Sequence, residues 1–378
     1  MVRERRGLLV RPIAAYFVSL GLASCQAQPP VSTPVVTPSA SPTATAGYAD
    51  LPGVSQGTLL DHRTEGVGNM ACSAGVLAWT SGALDAVYVA PSDRSTSPRL
   101  IAPRATSGKV GPLAFASPWL AFAEYTQQGE GSYLADWRVR VVDIRTGHVT
   151  DIARPTTTVQ RQELPMPTVD GNSLVWDVLL SPGHKALMLH DLISGVDREI
   201  GLPVGTYPVR PSIRAGRVAF LDNSADPNSQ QEIWITRGGR PELVDLQTGE
   251  VTALDGRLDS SFLLYDGKRV VWVAQPAAAT TTTRPPVATN EVFSEIWVQP
   301  VGAPRHESLG RGFPTLTLDD QAVVWYFDTE RSLVAAVVGH APGLVHLDAP
   351  GSPGGLALCG KRLYFGGTNL TVKYLDLP

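Results

Sequence analysis

Short apolar runs, separated by polar turn residues, repeat along the chain from residue 48 to residue 378. The phrases "DGNSLVWDV" from 170, "DGKRVVWV" from 266 and "DDQAVVWYF" from 319 are close copies of one another. In each copy the polar residues favour a tight turn, and the β-branched and aromatic residues that follow favour a buried strand. No amphipathic helical pattern of ten or more residues interrupts them, which predicts an all-β chain.

A large apolar residue anchors each copy of the repeat. Seven anchors can be aligned: Trp79, Phe122, Trp176, Phe220, Trp272, Trp325 and Phe365. Successive anchors are 40 to 54 residues apart, which is the spacing of strand-built propeller blades. Because the anchors lie in buried-strand patterns, we predict that they are core residues rather than platforms for sugar stacking.

A second phrase follows three of the anchors and predicts a hairpin. It begins at 139, 187 and 243, and it consists of a strand, the motif Asp-Leu/Ile-x-Thr/Ser-Gly and another strand. The Asp carboxylate can accept hydrogen bonds from the turn backbone, and Gly can take the positive φ that a short hairpin needs. Together the two phrases predict four antiparallel strands per repeat.

The repeats predict a β-propeller of four-stranded antiparallel blades in residues 48–378. Seven anchors indicate seven blades, and six blades are the alternative if one anchor is misassigned. Only three strands follow residue 353, so the last blade lacks its outer strand. The segment "SQGTLLDHRT", residues 55–64, is predicted to supply that strand and to close the ring.

These motifs resemble those of a known group of propellers. A "G-x-x-hydrophobic-hydrophobic-Trp" strand followed by "D-L-x-T-G" is similar to the TolB-type and WD40-like β-propeller repeats of bacterial extracytoplasmic proteins. The resemblance covers residues 55–378 and implies the architecture. It does not imply a particular function, because one fold can carry many unrelated sites.

The first 47 residues have a different composition. Four Arg residues precede an apolar run that is short for a bilayer span, and the run ends in Leu-Ala-Ser-Cys at Cys25. We interpret residues 1–24 as a lipoprotein signal peptide and Cys25 as the lipidated first residue of the mature chain. Residues 26–47 are rich in Pro, Thr and Ser and carry no charge, so residues 25–47 are predicted to form an extended tether.

Charge and cysteine content narrow the possible partners and the compartment. The net charge is −4 for the whole chain and −7 without residues 1–24, which argues against nucleic acid and against electrostatic binding to anionic lipid. Cys72 and Cys359 remain once Cys25 is lipidated. Each precedes the Gly of an anchor strand, in the first and last blades, and these blades are neighbours in a closed ring. We therefore predict that they form a disulfide.

Few residues of the sequence are candidates for metal binding or catalysis. The candidate metal ligands are the pairs His184 and His190, His340 and His346, and the loop residues Asp222, Asp226 and Asn228. Widely spaced histidines are typical of protein surfaces, and Asp-Pro-Asn is ordinary turn chemistry, so we expect no metal and no cofactor. An enzyme site in the central channel would need carboxylate, His or Arg side chains at the axial ends of the inner strands, and these strands offer mainly Glu163, Arg210 and Arg214.

The connections between the second and third strands of the blades should all leave from one face. Several are longer than a hairpin requires, and long loops on a rigid scaffold are where binding residues concentrate. The candidate contacts on this face are Tyr125, Glu130, Tyr133, Trp137, His184, Asp222, Asp226, Asp328 and Glu330. Trp137 has a second interpretation, as a cap on the outer edge of blade two.

The sequence therefore predicts a monomeric lipoprotein outside the cytoplasm, anchored to the cell membrane or the outer membrane through its lipid alone. Its propeller would be a non-catalytic scaffold that binds an envelope protein or a glycan. The alternative is a propeller enzyme, of lyase, hydrolase or dehydrogenase type, with its site at the central channel. The fold alone does not distinguish the two.

Overall fold

The strand-forming pattern is realised throughout the part of the chain that can be described. The structure is a computed structural model. It describes residues 48–61, 67–93, 97–102, 108–128, 133–155, 164–181, 184–224, 239–254, 256, 260–274, 294–313, 315–327, 332–347, 351–367 and 371–378. Their regular elements are all β-strands. None of these residues forms a helix long and apolar enough to cross a bilayer. Residues 1–47, which include Cys25 and the predicted tether, lie outside the described ranges.

The strands form seven antiparallel four-stranded sheets. Blade one is β2 (Val67–Ser73), β3 (Val76–Ser81), β4 (Val87–Pro91) and β5 (Arg99–Ala102). Blade two is β6 (Lys109–Ala116), β7 (Trp119–Gln128), β8 (Tyr133–Asp143) and β9 (His148–Ala153). Blade three is β10 (Thr168–Asp170), β11 (Ser173–Ser181), β12 (His184–Asp191) and β13 (Asp197–Glu199). Blade four is β14 (Pro208–Arg214), β15 (Arg217–Asp222), β16 (Arg240–Asp245) and β17 (Val251–Ala253).

The remaining three blades follow the same order of strands. Blade five is β18 (Ser260–Tyr265), β19 (Arg269–Ala274), β20 (Ser294–Pro300) and β21 (Glu307–Gly312). Blade six is β22 (Leu316–Leu318), β23 (Ala322–Tyr326), β24 (Ser332–Val337) and β25 (Gly343–His346). Blade seven is β26 (Gly351–Cys359), β27 (Arg362–Gly367), β28 (Thr371–Asp376) and β1 (Ser55–Asp61). The prediction of seven blades is confirmed.

The ring is closed by the N-terminal strand, as predicted. β1 pairs antiparallel with β28, in a register that runs from Ser55 opposite Asp376 to Asp61 opposite Thr371. The last blade therefore combines one strand from the start of the propeller with three from its end. Through this pairing, β1 hydrogen-bonds to the backbone groups along the outer edge of β28, which would otherwise be unpaired.

The anchors are core residues. Trp79, Trp272, Trp325, Phe122, Phe220 and Phe365 are at most 1% exposed, and Trp176 is 3% exposed. Several of the hydrophobic clusters combine residues of two neighbouring blades, as where Trp325 of blade six packs with Ile296 of blade five. The apolar face of one blade is thus buried by the next, which is the packing on which a propeller depends.

Two edges of the ring need names. The turn rim is the edge that carries the turns between first and second strands and between third and fourth strands. The loop rim is the opposite edge, where the connections between second and third strands leave. Strand direction alternates within every blade, so these assignments hold for all seven.

Side-chain to backbone bonds join neighbouring blades at the turn rim. The Ser73 hydroxyl accepts the Ser117 N–H at 3.0 Å, and the Asp170 carboxylate accepts the Ala215 N–H at 2.7 Å. Each acceptor ends the inner strand of one blade, and each donor lies in the first turn of the next. The same bond type therefore recurs between blades one and two and between blades three and four.

Between blades seven and one the connection is covalent. Cys72 and Cys359 form a disulfide, with their Cα atoms 5.6 Å apart and a sequence separation of 287. The predicted pairing is present, and it lies at the predicted junction. In the chain-entropy model, closing a loop of this length stabilises the folded state by about 5 kcal/mol.

The Asp-Leu/Ile-x-Thr/Ser-Gly motif forms the predicted turns at the turn rim. Each motif begins with an Asp whose carboxylate accepts at least one backbone hydrogen bond, from the N–H two or three positions later. These residues are Asp143, Asp191 and Asp245. The Gly that ends each motif has φ between 71° and 75°, a region that favours glycine. The backbone hydrogen bonds lower the pKa of the Asp191 and Asp245 carboxyls.

Replacing Asp191 tests these turn bonds. The N–H groups of Ser194 and Ile193 lower the pKa of Asp191. The stabilisation that its carboxylate gives to the folded state is therefore complete above the unfolded-state pKa of about 3.9. It is lost as pH falls through the folded-state pKa. We expect Asp191→Ala to lower Tm by about 1–2 °C at neutral pH, with a smaller difference below about pH 3. Asp191→Asn can still accept the turn N–H groups and serves as the control. Equal Tm differences at both pH values in thermal melts would contradict this account.

Candidate functional site

The seven inner strands surround a central cavity of about 1110 Å³. These strands are β2, β6, β10, β14, β18, β22 and β26. Side chains alternate along a strand, and the cavity is lined both by residues opposite the anchors and by their neighbours along each inner strand. Met70, for example, lies opposite Trp79, and Leu113 lies opposite Phe122.

The alternation produces two layers of cavity-lining residues. The Arg210 layer, nearer the loop rim, consists of Asn69, Pro112, Met166, Arg210, Phe262, Thr315 and Gly355. The Ser212 layer, two residues further along each strand, consists of Ala71, Ala114, Thr168, Ser212, Leu264, Thr317 and Ala357. Of these fourteen residues, Arg210 alone carries a charge. The other thirteen residues of these two layers are apolar, apart from a few hydroxyl groups and one amide.

Arg210 has an unusual backbone for its residue type. Its φ is 53°, in the left-handed region that residues other than Gly, Asn and Asp seldom occupy. It lies where the register between β14 and β15 shifts, between Val209 and Ser212, and such bulges re-aim side chains. The guanidinium carbon lies 5.6 Å from the ring centre of Phe262 in the next blade, within cation–π range.

Charged residues are more numerous where the cavity reaches the turn rim. Arg214 pairs with Asp170 at 3.1 Å, Arg269 with Asp266 at 2.7 Å and Arg362 with Asp376 at 2.5 Å. The carboxyl group of Asp319 caps its own turn, and burial raises its pKa. Arg214 ends the inner strand β14, lines this end of the cavity and forms one of these ion pairs. Glu163 lies outside the described residues.

Two of the predicted contacts on the loop rim are core residues instead. Tyr125 and Trp137 lie opposite each other on β7 and β8, and each is 4% exposed. Both belong to the hydrophobic cluster between blades two and three. The prediction placed them on a loop, but the two strands extend further than expected, and only residues 129–132 separate them. Tyr133 begins β8, and Glu130 lies outside the described residues.

The other predicted contacts have different environments. His184 begins β12, is exposed and lies 3.7 Å from a carboxylate oxygen of Glu199. Asp222 ends β15 and is buried, and it accepts the backbone N–H groups of Tyr207 and Ser224. Asp222 therefore holds in place the backbone that leads into β14. Asp226, Asp328 and Glu330 lie outside the described residues, so their role in binding stays a prediction.

The candidate metal ligands are dispersed. His190 lies 2.8 Å from Asp197, and His346 lies 3.3 Å from Asp50, whereas His340 belongs to a turn. Within the described ranges, no three His, Cys, Asp or Glu residues are grouped in a way that could hold a metal ion.

Buried ion pairs near the loop rim were not anticipated from the sequence. Lys185 lies 2.8 Å from Asp177, with both side chains at most 3% exposed. Glu124 binds Arg138 at 2.9 Å and Arg140 at 2.6 Å. Asp177 also accepts the N–H of Met166 in the Arg210 layer. These charges are spaced two or more residues apart within strands, and only strand pairing brings them together.

A short sequence match to a catalytic motif has a structural explanation. Residues 53–57, Gly-Val-Ser-Gln-Gly, fit the pattern of a hydrolase nucleophile elbow. That motif requires a strand, a sharp turn and a helix. Here Ser55 begins the outer strand β1, and its hydroxyl donates to Asp376 at 3.4 Å. The serine therefore belongs to the ring closure.

No protein-family model matches the chain, and no curated protein matches it in sequence. Solved structures match its fold. A catalytically inactive virginiamycin B lyase from Staphylococcus aureus, solved with quinupristin, has a TM-score of 0.56 and 10% identity over 86% of this chain and 99% of its own. The β-propeller domain of the Trilobed protease from Pyrococcus furiosus has a TM-score of 0.53 and 10% identity, over 82% and 94%.

TolB from Acinetobacter baumannii also matches, with a TM-score of 0.44 and 11% identity over 84% of this chain and 64% of TolB. Likenesses at these identities concern the fold alone. The chain is a seven-bladed β-propeller, the architecture that the resemblance to TolB-type and WD40-like repeats implied.

Replacing Trp137 tests its assignment to the core. Because the side chain is 4% exposed within the cluster between two blades, we expect Trp137→Ala to lower the free energy of unfolding by about 3–5 kcal/mol. His184→Ala, at the exposed start of the third strand of the next blade, should change it by less than about 0.5 kcal/mol. Denaturant unfolding of both variants provides the comparison, and equal stabilities would show that Trp137 is not a core residue.

Proposed function

We propose that the protein is a lipid-anchored, extracytoplasmic binding scaffold whose loop rim binds an envelope protein or a glycan. The observation that carries the proposal is the placement of two long connections. β15 ends at Asp222 and β16 begins at Arg240, and β19 ends at Ala274 and β20 begins at Ser294. These connections of 17 and 19 residues leave neighbouring blades at the same rim, where about two to five residues suffice for a hairpin.

The start of the described chain is held against blade six. Ala49 and Leu51 bond the backbone of Leu344 in β25. β1 then runs from the turn rim, where Ser55 faces Asp376, toward the loop rim.

The disulfide and the charge support the location. A disulfide between Cys72 and Cys359 is typical of proteins outside the cytoplasm, where thiols are not kept reduced. With a net charge of −4, the chain has no general electrostatic attraction to anionic lipid. Anchoring through an acyl chain on Cys25 supplies the membrane attachment that the charge does not.

Lipidation is tested by replacing Cys25. In cells fed a labelled fatty acid, the wild-type protein should carry label and sediment with membranes, and Cys25→Ser should do neither. The double variant Cys72→Ser, Cys359→Ser is the matched control, because it removes the other two cysteines, which form the disulfide, and should keep the label. A mature wild-type protein without acyl chains in mass spectrometry would refute the anchor.

Binding at the loop rim is tested by removing charge from each rim in turn. The variant Asp328→Ala, Glu330→Ala removes two predicted contacts, and Asp320→Ala, Glu250→Ala removes two exposed acids at the turn rim. In crosslinking on intact cells and in sedimentation with purified cell-wall glycan, we expect at least tenfold weaker capture for the loop-rim variant only. Weaker capture for the turn-rim variant alone would place the interface on the opposite face.

A further inference from the structure

We propose that the turn between β22 and β23 is an acid-sensitive joint of the ring, at which the carboxylate of Asp319 takes up a proton and thereby stabilises the contact between blades six and seven. This turn lies at the turn rim of the central cavity, so the proposal does not depend on what the loop rim binds. It rests on a comparison of two equivalent turns, on one buried oxygen atom of Asp319 and on the neighbours of that atom.

The first observation is that the turns of blades five and six have the same backbone bonds. In blade five, one carboxylate oxygen of Asp266 accepts the backbone N–H groups two and three residues later, both at 2.8 Å. In blade six, one carboxylate oxygen of Asp319 accepts the N–H groups at the same two offsets, at 2.9 and 3.0 Å. Asp266 and Asp319 therefore occupy equivalent positions, each directly after the inner strand of its blade.

The other carboxylate oxygen distinguishes the two turns. In blade five, Oδ2 of Asp266 accepts the Arg269 Nε–H at 2.7 Å. Blade six has Ala322 where blade five has Arg269, and an alanine side chain supplies no donor. Oδ2 of Asp319 is buried, and none of the residues that the structure describes hydrogen-bonds to it. A charged carboxylate is costly in such a place, whereas a neutral carboxyl group costs much less.

The charged groups of the turn itself and of blade five do not replace the missing partner. Burial raises the pKa of the Asp319 carboxyl, and the adjacent carboxylate of Asp320 raises this pKa further. From blade five, Arg269 donates to the main-chain carbonyl of Asp319 at 3.0 Å, while its side chain pairs with Asp266. The nearest arginine of blade five is thus bound to a different carboxylate.

Blade seven faces Asp319 with a backbone group rather than a cation. The Gly360 N–H lowers the pKa of Asp319, but its effect is smaller than that of burial, so the pKa remains raised. Of the charged residues in the same turn of blade seven, Lys361 is exposed, and Arg362 binds Asp376 at 2.5 and 2.9 Å. A proton on Asp319 therefore removes a buried charge at the junction of two blades.

The direction of the pH dependence follows from the raised pKa. Between the unfolded-state pKa of about 3.9 and the folded-state pKa of Asp319, the folded protein holds more of the proton than the unfolded chain does. The free energy of unfolding therefore falls as pH rises through this window, and the loss is complete above the folded-state pKa. This dependence is opposite to the one expected for Asp191, whose pKa is lowered.

Carbon-13 NMR of the purified protein, labelled at the aspartate carboxyl carbons, measures the protonation directly. The resonance that disappears in Asp319→Asn belongs to Asp319, and its titration midpoint should lie above about 3.9. Asp320→Asn removes the charge of an exposed neighbour and should lower that midpoint. The resonance of Asp191, identified in the same way with Asp191→Asn, should titrate below about 3.9.

Thermal melts compare the two equivalent turns. Asp319→Asn keeps an acceptor for the turn N–H groups and removes the buried charge, so it should raise Tm by about 1–2 °C at neutral pH. The difference from the wild type should shrink as pH falls. Asp266→Asn is the matched control, because it removes the carboxylate that Arg269 binds, and it should lower Tm at neutral pH.

Three results would overturn the proposal. The Asp319 resonance could titrate at or below about 3.9, Asp319→Asn could lower Tm at neutral pH as Asp266→Asn does, or its effect on Tm could be the same at every pH. If Asp319→Asn does not fold, the resonance whose midpoint falls in Asp320→Asn identifies the same carboxyl group. The lack of any such resonance would also overturn the proposal.

Discussion

The pairing of β1 with β28 is the constraint on which the rest of the structure depends. A single blade leaves both of its apolar faces exposed, and only a complete circle covers them all. Here the circle is completed by a strand from the other end of the propeller, in register from Ser55 to Asp61. The disulfide between Cys72 and Cys359 acts at the adjacent junction. Closure is thus made twice, by an edge strand on the outside and by a covalent bond near the centre.

Closure also determines what the centre of the ring can be. Once seven inner strands are held in a circle, their residues line the central cavity. The Arg210 layer has a different residue in every blade, so the cavity has no rotational symmetry in its chemistry. One arginine against one phenylalanine defines a direction across it. A regular backbone therefore supports an irregular site.

Local patterns in the sequence were sufficient to predict the architecture, but they were not sufficient to predict the contacts of the candidate site. The anchors, the Asp-to-Gly turns and the spare N-terminal strand each rest on a few adjacent residues, so they could be recognised without the structure. The length of β7 and β8 could not be recognised in this way, since Tyr125 and Trp137 are polar-tipped aromatics beside Thr126 and Asp136, and only strand pairing buries them. The pairs Lys185 with Asp177 and Arg210 with Phe262 join separate strands or blades. Such contacts depend on register, and no local spacing in the chain encodes them.

The position of Tyr48 has a mechanical consequence. Its hydroxyl accepts the Arg311 N–H and donates to the Leu309 carbonyl, and its ring packs against Trp325 and Phe327. Tension on the chain ahead of Tyr48 is therefore borne first by blades five and six, through this ring and the backbone bonds of Ala49 and Leu51 to Leu344. The closing strand β1 lies beyond these contacts and is shielded from the pull. A force applied ahead of Tyr48 would therefore have to break these contacts before it reached the pairing of β1 with β28.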